Sequence, residues 1–225
     1  SSGFCIMASI MFGTLFYLSG CITMTILAAV SVGALIPFFF HNVFGKTSKM
    51  FIGDGGTLVM GTIMSIFVIE VLRGDSPCVA YVNPNVGLVP FTLAVLGIPV
   101  FDTLRVMSTR ILKGVSPFNP DKTHLHHMFI ELGASHVATT LAILSLDMLV
   151  VLCWWLLETQ GASIAVQLYV VVGMSLLATF GLYHFMLWHI RHDTKFLRLI
   201  RRLGYRTHVS RTGIFFWLQK VVDKI

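Results

Sequence analysis

Residues 164–188 read IAVQLYVVVGMSLLATFGLYHFMLW and contain no Asp, Glu, Lys or Arg. About 20 apolar residues in a helix cross the hydrocarbon core of a bilayer. A lone strand would leave its backbone groups unpaired in lipid, so this stretch is a membrane helix. Five further apolar runs recur along the chain, at 4–18, 21–40, 57–72, 86–104 and 138–158. The first and third are short enough to be tilted or truncated spans. The composition agrees. Of 225 residues 56% are hydrophobic and 12% charged, and ordinary soluble domains carry about twice that share of charge. A soluble fold of this length could not cover so much apolar surface. The expected fold is therefore all-α: a polytopic membrane protein of about six transmembrane helices.

The loops orient it. If the spans alternate, residues 42–56, 106–137 and the tail from His189 share one side. Of 16 Lys and Arg residues, all but Arg73 fall on that side, counting Arg105 at a span end. The positive-inside rule makes it cytoplasmic. The excess positive charge thus follows topology, and a sequence pI of about 9.4 gives no reason to expect nucleic acid as a partner. One transmembrane domain, 1–190, followed by a basic interfacial tail, 191–225, is the simplest organisation. The tail segment FLRLIRRLGYR (196–206) mixes apolar and cationic residues as a helix drawn to anionic membrane lipids does. Cys5, Cys21, Cys78 and Cys153 form no CxxC pair and read as small hydrophobes. Glu70 and Asp147, the acidic residues within spans, lie near a helix end or stand alone, whereas a transporter tends to bury its charges mid-span.

Chemistry is instead concentrated in the cytoplasmic loops. FIGDGGT, 51–57, sets Asp54 between Gly53 and Gly55–Gly56 just before a span, with Thr57 expected as its N-cap. Glycines let backbone N–H groups approach an anion, and a helix start favours negative charge. A carboxylate beside such a site suits Mg²⁺, which takes one or two carboxylates plus phosphate oxygens. A glycine turn with a capping aspartate would look the same. DTLRVMSTRILK, 102–113, groups Asp102, Arg105 and Arg110 where a span leaves the membrane. Arginine forks suit phosphate, although snorkelling to lipid head groups is the more ordinary use of each.

The third cluster is GVSPFNPDKTHLHH, 114–127. Asn119 and Pro120 read as N-cap and first residue of a short helix ending at Gly133. On that helix Asp121, His124 and His127 share an edge that His126 leaves. The imidazoles can ligate a transition metal or donate hydrogen bonds to a charged substrate. A zinc site needs three or four converging ligands, so the glycine-aspartate loop and basic neighbours favour a diphosphate. His41, His136, His184 and His208 read as interfacial or packed residues.

FIGDGGT followed by GVSPFNPDKTHLHH resembles the polyprenyl-phosphate N-acetylhexosamine-1-phosphate transferases, the MraY/WecA-like membrane enzymes of glycosyltransferase family 4. The resemblance runs along essentially the whole chain, and the histidine segment is its more specific part. It implies transfer of a sugar-1-phosphate from a UDP-N-acetylhexosamine to a polyprenyl phosphate, with release of UMP, at the cytoplasmic face of a bacterial inner membrane. It implies Mg²⁺, in some members Mn²⁺. By the same resemblance Asp54 is the metal-binding and catalytic aspartate, and His124, His126 and His127 are the catalytic histidine motif. Gly53, Gly56 and Thr57 (where serine is usual) match the loop positions around that aspartate, and Arg110, Asp121 and Lys122 are expected beside them at the substrate site from their charge and position. The PDKTHLHH pattern resembles the branch that uses UDP-GlcNAc more than the peptidoglycan branch. That points to an O-antigen, teichoic-acid or capsule type of pathway.

The family also carries upstream paired aspartates and an asparagine-aspartate motif that are absent here; Ser1-Ser2-Gly3 resembles the end of the latter. The expectation is a C-terminal portion of a longer enzyme, inactive alone. A histidine-dependent metal transporter and a non-catalytic membrane scaffold are the competing classes. The sequence leaves the sugar, the lipid, and monomer or homo-oligomer open.

Overall fold

The computed structural model describes residues 2–45, 50, 52–82, 86–118, 123–134, 136–195, 198 and 214–223. Among these there is no strand, and the helices are α1 (Ser2–Leu18), α2 (Ile22–Phe44), α3 (Gly53–Leu72), α4 (Pro77–Tyr81), α5 (Leu88–Leu112), α6 (Leu125–Glu131), α7 (His136–Thr159), α8 (Ile164–Leu176), α9 (Leu182–Arg191) and α10 (Ile214–Val222). A π-helical turn, Leu177–Gly181, joins α8 to α9. Among the described residues five helices are long and apolar enough to cross a membrane: α2, α3, α5, α7 and the continuous α8–α9 unit; α1, at 17 residues, is a shorter apolar helix. Five full-length candidates plus this shorter one account for the six expected runs.

Although α1 is short, it forms the centre of the packing. Phe12 and Phe16 are fully buried and meet Phe67 of α3 at 5.8 and 5.4 Å between ring centroids. Phe12 also meets Phe91 of α5 edge-on at 5.6 Å, and Phe91 continues to Trp154 of α7 at 5.1 Å. Offset and edge-on pairs of this kind are favoured by the ring quadrupoles. Small residues let the backbones close in. A methyl group added at Gly13 would come within 2.9 Å of Ala28 Cβ in α2, which is how membrane helices without a hydrophobic drive between them gain contact. Side chains such as Ile26, Val30, Leu58 and Tyr169 point outward, exposed, as lipid-facing positions should.

Among the described residues some buried polar groups are paired, while Ser9 Oγ, Thr139 Oγ1, Ser175 Oγ, the Asp147 carboxylate and Nε and Nη1 of Arg105 have no hydrogen-bond partner. Trp154 Nε1 donates to Gln167 Oε1 at 3.0 Å, and Gln167 Nε2 donates to the Ala162 carbonyl at 2.9 Å, tying α7 to the start of α8. Asp147, fully buried on α7, has neither carboxyl oxygen hydrogen-bonded. Glu70 is paired with Arg73 at 3.2 Å.

Three expectations change. Helix α3 begins at Gly53, not Thr57, so the third span is 20 residues long. Thr57 is not an N-cap: its hydroxyl donates back to the Gly53 and Asp54 carbonyls at 3.1 and 2.8 Å. Asp54 consequently occupies the first turn. Helix α6 ends at Gly133 as expected, through a left-handed residue (φ +90°) and an Ala134 N–H bond to Phe129 O at 3.0 Å. Its start lies at Leu125, however, not beside Pro120. Asn119, Pro120, Asp121 and Lys122 lie outside the described residues, as do His208 and most of the tail. Of the tail, Arg191–Lys195, Arg198 and α10 are described; Arg198 Nε stands 4.0 Å from Asp193.

Candidate active site

Helix α6 begins where it does because of a carboxylate on another helix. A helix leaves its first N–H groups without partners inside the helix. Here Leu125 N–H points at Asp102 of α5, 3.3 Å from each carboxylate oxygen. His124 precedes it in extended backbone (φ −60°, ψ 150°), and its Nδ1 lies 3.0 Å from Asp102 Oδ2. Arg105, one turn along α5, donates from Nη2 to Asp102 Oδ1 and to the Thr123 carbonyl, both at 2.7 Å. Its Cζ lies 3.7 Å from the ring centroid of Tyr183 on α9. Asp102 is 8% and Arg105 1% exposed. Arg105 is therefore not the interfacial, snorkelling cation expected of it. A buried charge of this kind is tolerated only when paired and hydrogen-bonded, and here carboxylate, carbonyl and aromatic face together compensate it.

With α6 starting one residue after His124, helical spacing does not govern the three histidines. They stand in a row: His124 and His126 rings are 6.0 Å apart and nearly parallel at 18°, and His126 and His127 rings are 4.0 Å apart. The expectation that His126 diverges is thus corrected. His126 is exposed as a residue, yet its ring is flanked on both sides. Burial first, then the neighbouring His127 and His124, push it down to about 4, so it is neutral at physiological pH. His124 keeps about a third of its side chain exposed.

Arg110 is half-buried at the end of α5 and donates from Nη1 to the Pro117 carbonyl, pinning the loop that leads to the histidines. The turn out of α5 is made by Gly114 in the left-handed region (φ +72°), with Val115 N–H on the Arg110 carbonyl at 3.1 Å. Asp102 and Arg105 are the site residues that sequence patterning underrated. Their i, i+3 spacing lets them pair, but nothing local shows that the pair is buried against Thr123 and Tyr183.

The other arm is open. Asp54 lies exposed in the first turn of α3, and among the described residues its carboxylate has no hydrogen-bond or ion-pair partner. Gly53 adopts φ +67°, and the space beside Gly53 and Gly55 is empty, whereas a methyl at Gly56 would press on Ile52. The first N–H groups of α3 are consequently reachable by an anion. Thr57 and Ile52 share with Thr103 and Leu104 one apolar groove of about 620 Å³ between α1, α3 and α5. Thr103 follows Asp102, so this groove joins the start of α3 to the stretch of α5 that holds the histidine segment. Asp54 makes no direct bond to the histidines.

As a metal site, Asp54 alone offers the hard oxygen donor that Mg²⁺ prefers. Among the described residues no three His, Cys, Asp or Glu side chains converge. The remaining donors would therefore come from outside that group, phosphate oxygens among them.

Residues 1–72, which include Asp54, match the family described as glycosyl transferase family 4. The chain is 28% identical over 209 residues to an undecaprenyl-phosphate alpha-N-acetylglucosaminyl 1-phosphate transferase of Yersinia pestis, covering 88% of this chain and 53% of that protein. The corresponding Escherichia coli K12 protein is 28% identical over 207 residues, covering 89% and 51%. The protein of the same name from Pasteurella multocida is 34% identical over 104 residues, covering 44% and 27%. A match covering 88% of the chain includes His124, His126 and His127. The similarity to glycosyl transferase family 4 lies in residues 1–72, and the similarity to the named transferases runs along most of the chain. The chain spans about half the length of the first relatives it matches. No solved structure matches it.

Proposed function

We propose that this chain is a member of glycosyl transferase family 4 and contributes to a bacterial enzyme that moves GlcNAc-1-phosphate from UDP-GlcNAc to undecaprenyl phosphate, releasing UMP, at the cytoplasmic face of the inner membrane. The observation that carries this is its similarity to transferases named for that reaction, along a stretch that includes both the Asp54 helix start and the histidine row. The product would be the first lipid-linked intermediate of an envelope polysaccharide.

The physical problem is the meeting of two anions. An oxygen of the lipid phosphate attacks the β-phosphorus of the nucleotide sugar, and the bond from that phosphorus to the bridging oxygen breaks, leaving with UMP. Such transfers depend on positioning and charge stabilisation more than on covalent help from the protein. Asp54 would hold Mg²⁺, which when bound neutralises charge on the diphosphate. The first turn of α3 presents N–H groups beside it. The histidine row, fixed to α5 through Asp102, offers ring nitrogens to the phosphates or the nucleoside. Lys122 and Asp121 are proposed to act alongside. The apolar groove below Thr57 and Thr103 suits a prenyl chain entering from the lipid, and Arg110 holds the loop.

The test is UMP release by the full-length protein in lipid vesicles. Release that requires UDP-GlcNAc, undecaprenyl phosphate and Mg²⁺ together supports the proposal. Transition-metal uptake that depends on the histidines, without nucleotide, would replace it with a transporter.

A further inference from the structure

We infer that Asp102 is a positioning residue that locks His124 in the Nδ1–H tautomer, leaving Nε2 as the one ring nitrogen free to meet a ligand. This rests on the transferase reading only for its effect on turnover.

Three donors face the Asp102 carboxylate. Arg105 Nη2 reaches Oδ1 at 2.7 Å, Leu125 N–H lies 3.3 Å from both oxygens, and His124 Nδ1 lies 3.0 Å from Oδ2. A carboxylate so surrounded can only accept, so the proton in the His124 contact belongs to Nδ1. The geometry of imidazole then turns Nε2 away from the buried carboxylate, and about a third of the His124 side chain stays exposed. The same carboxylate caps α6 through Leu125, so ring orientation and helix start are set by one group. The ring cannot rotate without losing its bond to Asp102, and the helix cannot shift without breaking the cap. Arg105 holds the carboxylate in turn, through a second bond to the Thr123 carbonyl and its stack on Tyr183. The cluster is a chain of support running from α9 through α5 to one imidazole, and outer groups of this kind fix tautomer and direction in histidine sites.

The experiment is ¹⁵N NMR of histidine side chains in the full-length protein in nanodiscs without substrate, the His124 signals identified by their loss in His124→Gln. The expected result is a protonated Nδ1 and an unprotonated Nε2 in the neutral ring. A neutral His124 carrying its proton on Nε2 overturns the inference, and needs no variant to do so. In Asp102→Asn the amide oxygen can still accept from Arg105 and Leu125 while its NH₂ faces Nδ1, so the tautomer should invert. UMP release should then fall about 10- to 100-fold, the range seen when partners of functional histidines are removed. Inverted protonation with unchanged kcat and KM would overturn the positioning role. Should the wild-type protein prove inactive in the transferase assay, the proposed function fails, while the tautomer measurement still decides this inference.

Discussion

The two arms of the candidate site are built on opposite principles. His124 is held by a carboxylate and a guanidinium that are both almost wholly buried, and the whole group is tied to three helices. Asp54 stands exposed on the first turn of α3 without a partner among the described residues. The histidine arm is organised before any ligand arrives; the aspartate arm is left free to take one. The contrast makes physical sense for the proposed site, which would accept a metal-bound anion. Pre-arranged donors cost no reorganisation at the moment of reaction, whereas a metal ligand already satisfied by the protein would have to break a bond first.

Removing the support of the rigid arm should have the largest effect on stability. Arg105→Met strips Asp102 of its cation and leaves a buried charge, which costs about 3–5 kcal/mol. Unfolding in detergent should show that loss, with protease cleavage near α6 appearing early. Asp54→Asn should do the reverse. It leaves unfolding unchanged, as exposed substitutions do, while UMP release drops by about 100-fold or more, as expected when a group stabilising transition-state charge is lost. An Asp54→Asn variant that unfolds early would break the contrast between the arms.

A smaller effect should follow at Gly133, whose φ of +90° stops α6. Gly133→Ala places a side chain in a conformation that costs about 1–2 kcal/mol, read as loss of thermal stability. pH gives a subtler probe. The folded protein holds His126 at about 4, below the unfolded value of about 6.5. Protons therefore favour the unfolded chain between those values. Stability should be flat above pH 6.5 and decline as pH falls toward 4, and His126→Gln should flatten part of that decline. Equal slopes in wild type and variant would contradict the packing given to that ring.

Much of the fold was legible because its signals are local. Runs of apolar residues, the placement of Arg and Lys, and the stop at Gly133 each depend on neighbours in sequence. The beginning of α3 was misplaced by four residues because Gly53 and Gly55–Gly56 look like a turn; they continue the helix instead, and Thr57 bonds backward. The start of α6 was not legible for a different reason. Its cap is Asp102, 23 residues before Leu125, and no local pattern announces a cap supplied by another helix. Arg105 was misjudged likewise, since the ring it stacks on, Tyr183, lies four helices further along, on α9. Asp54 and the histidines were recognisable as chemistry from their residue types, but the division into a fixed arm and a free one needed the packing.

The most direct check on the account is whether a metal ion held at Asp54 lies close to the histidine row when a nucleotide sugar is bound. Mn²⁺ added to the full-length protein with UDP-GlcNAc should broaden the side-chain NMR signals of His124, His126 and His127, and Asp54→Asn should restore them. Signals that stay sharp with Mn²⁺ demonstrably bound, or broadening that persists without the Asp54 carboxylate, would contradict a single site shared by the two arms.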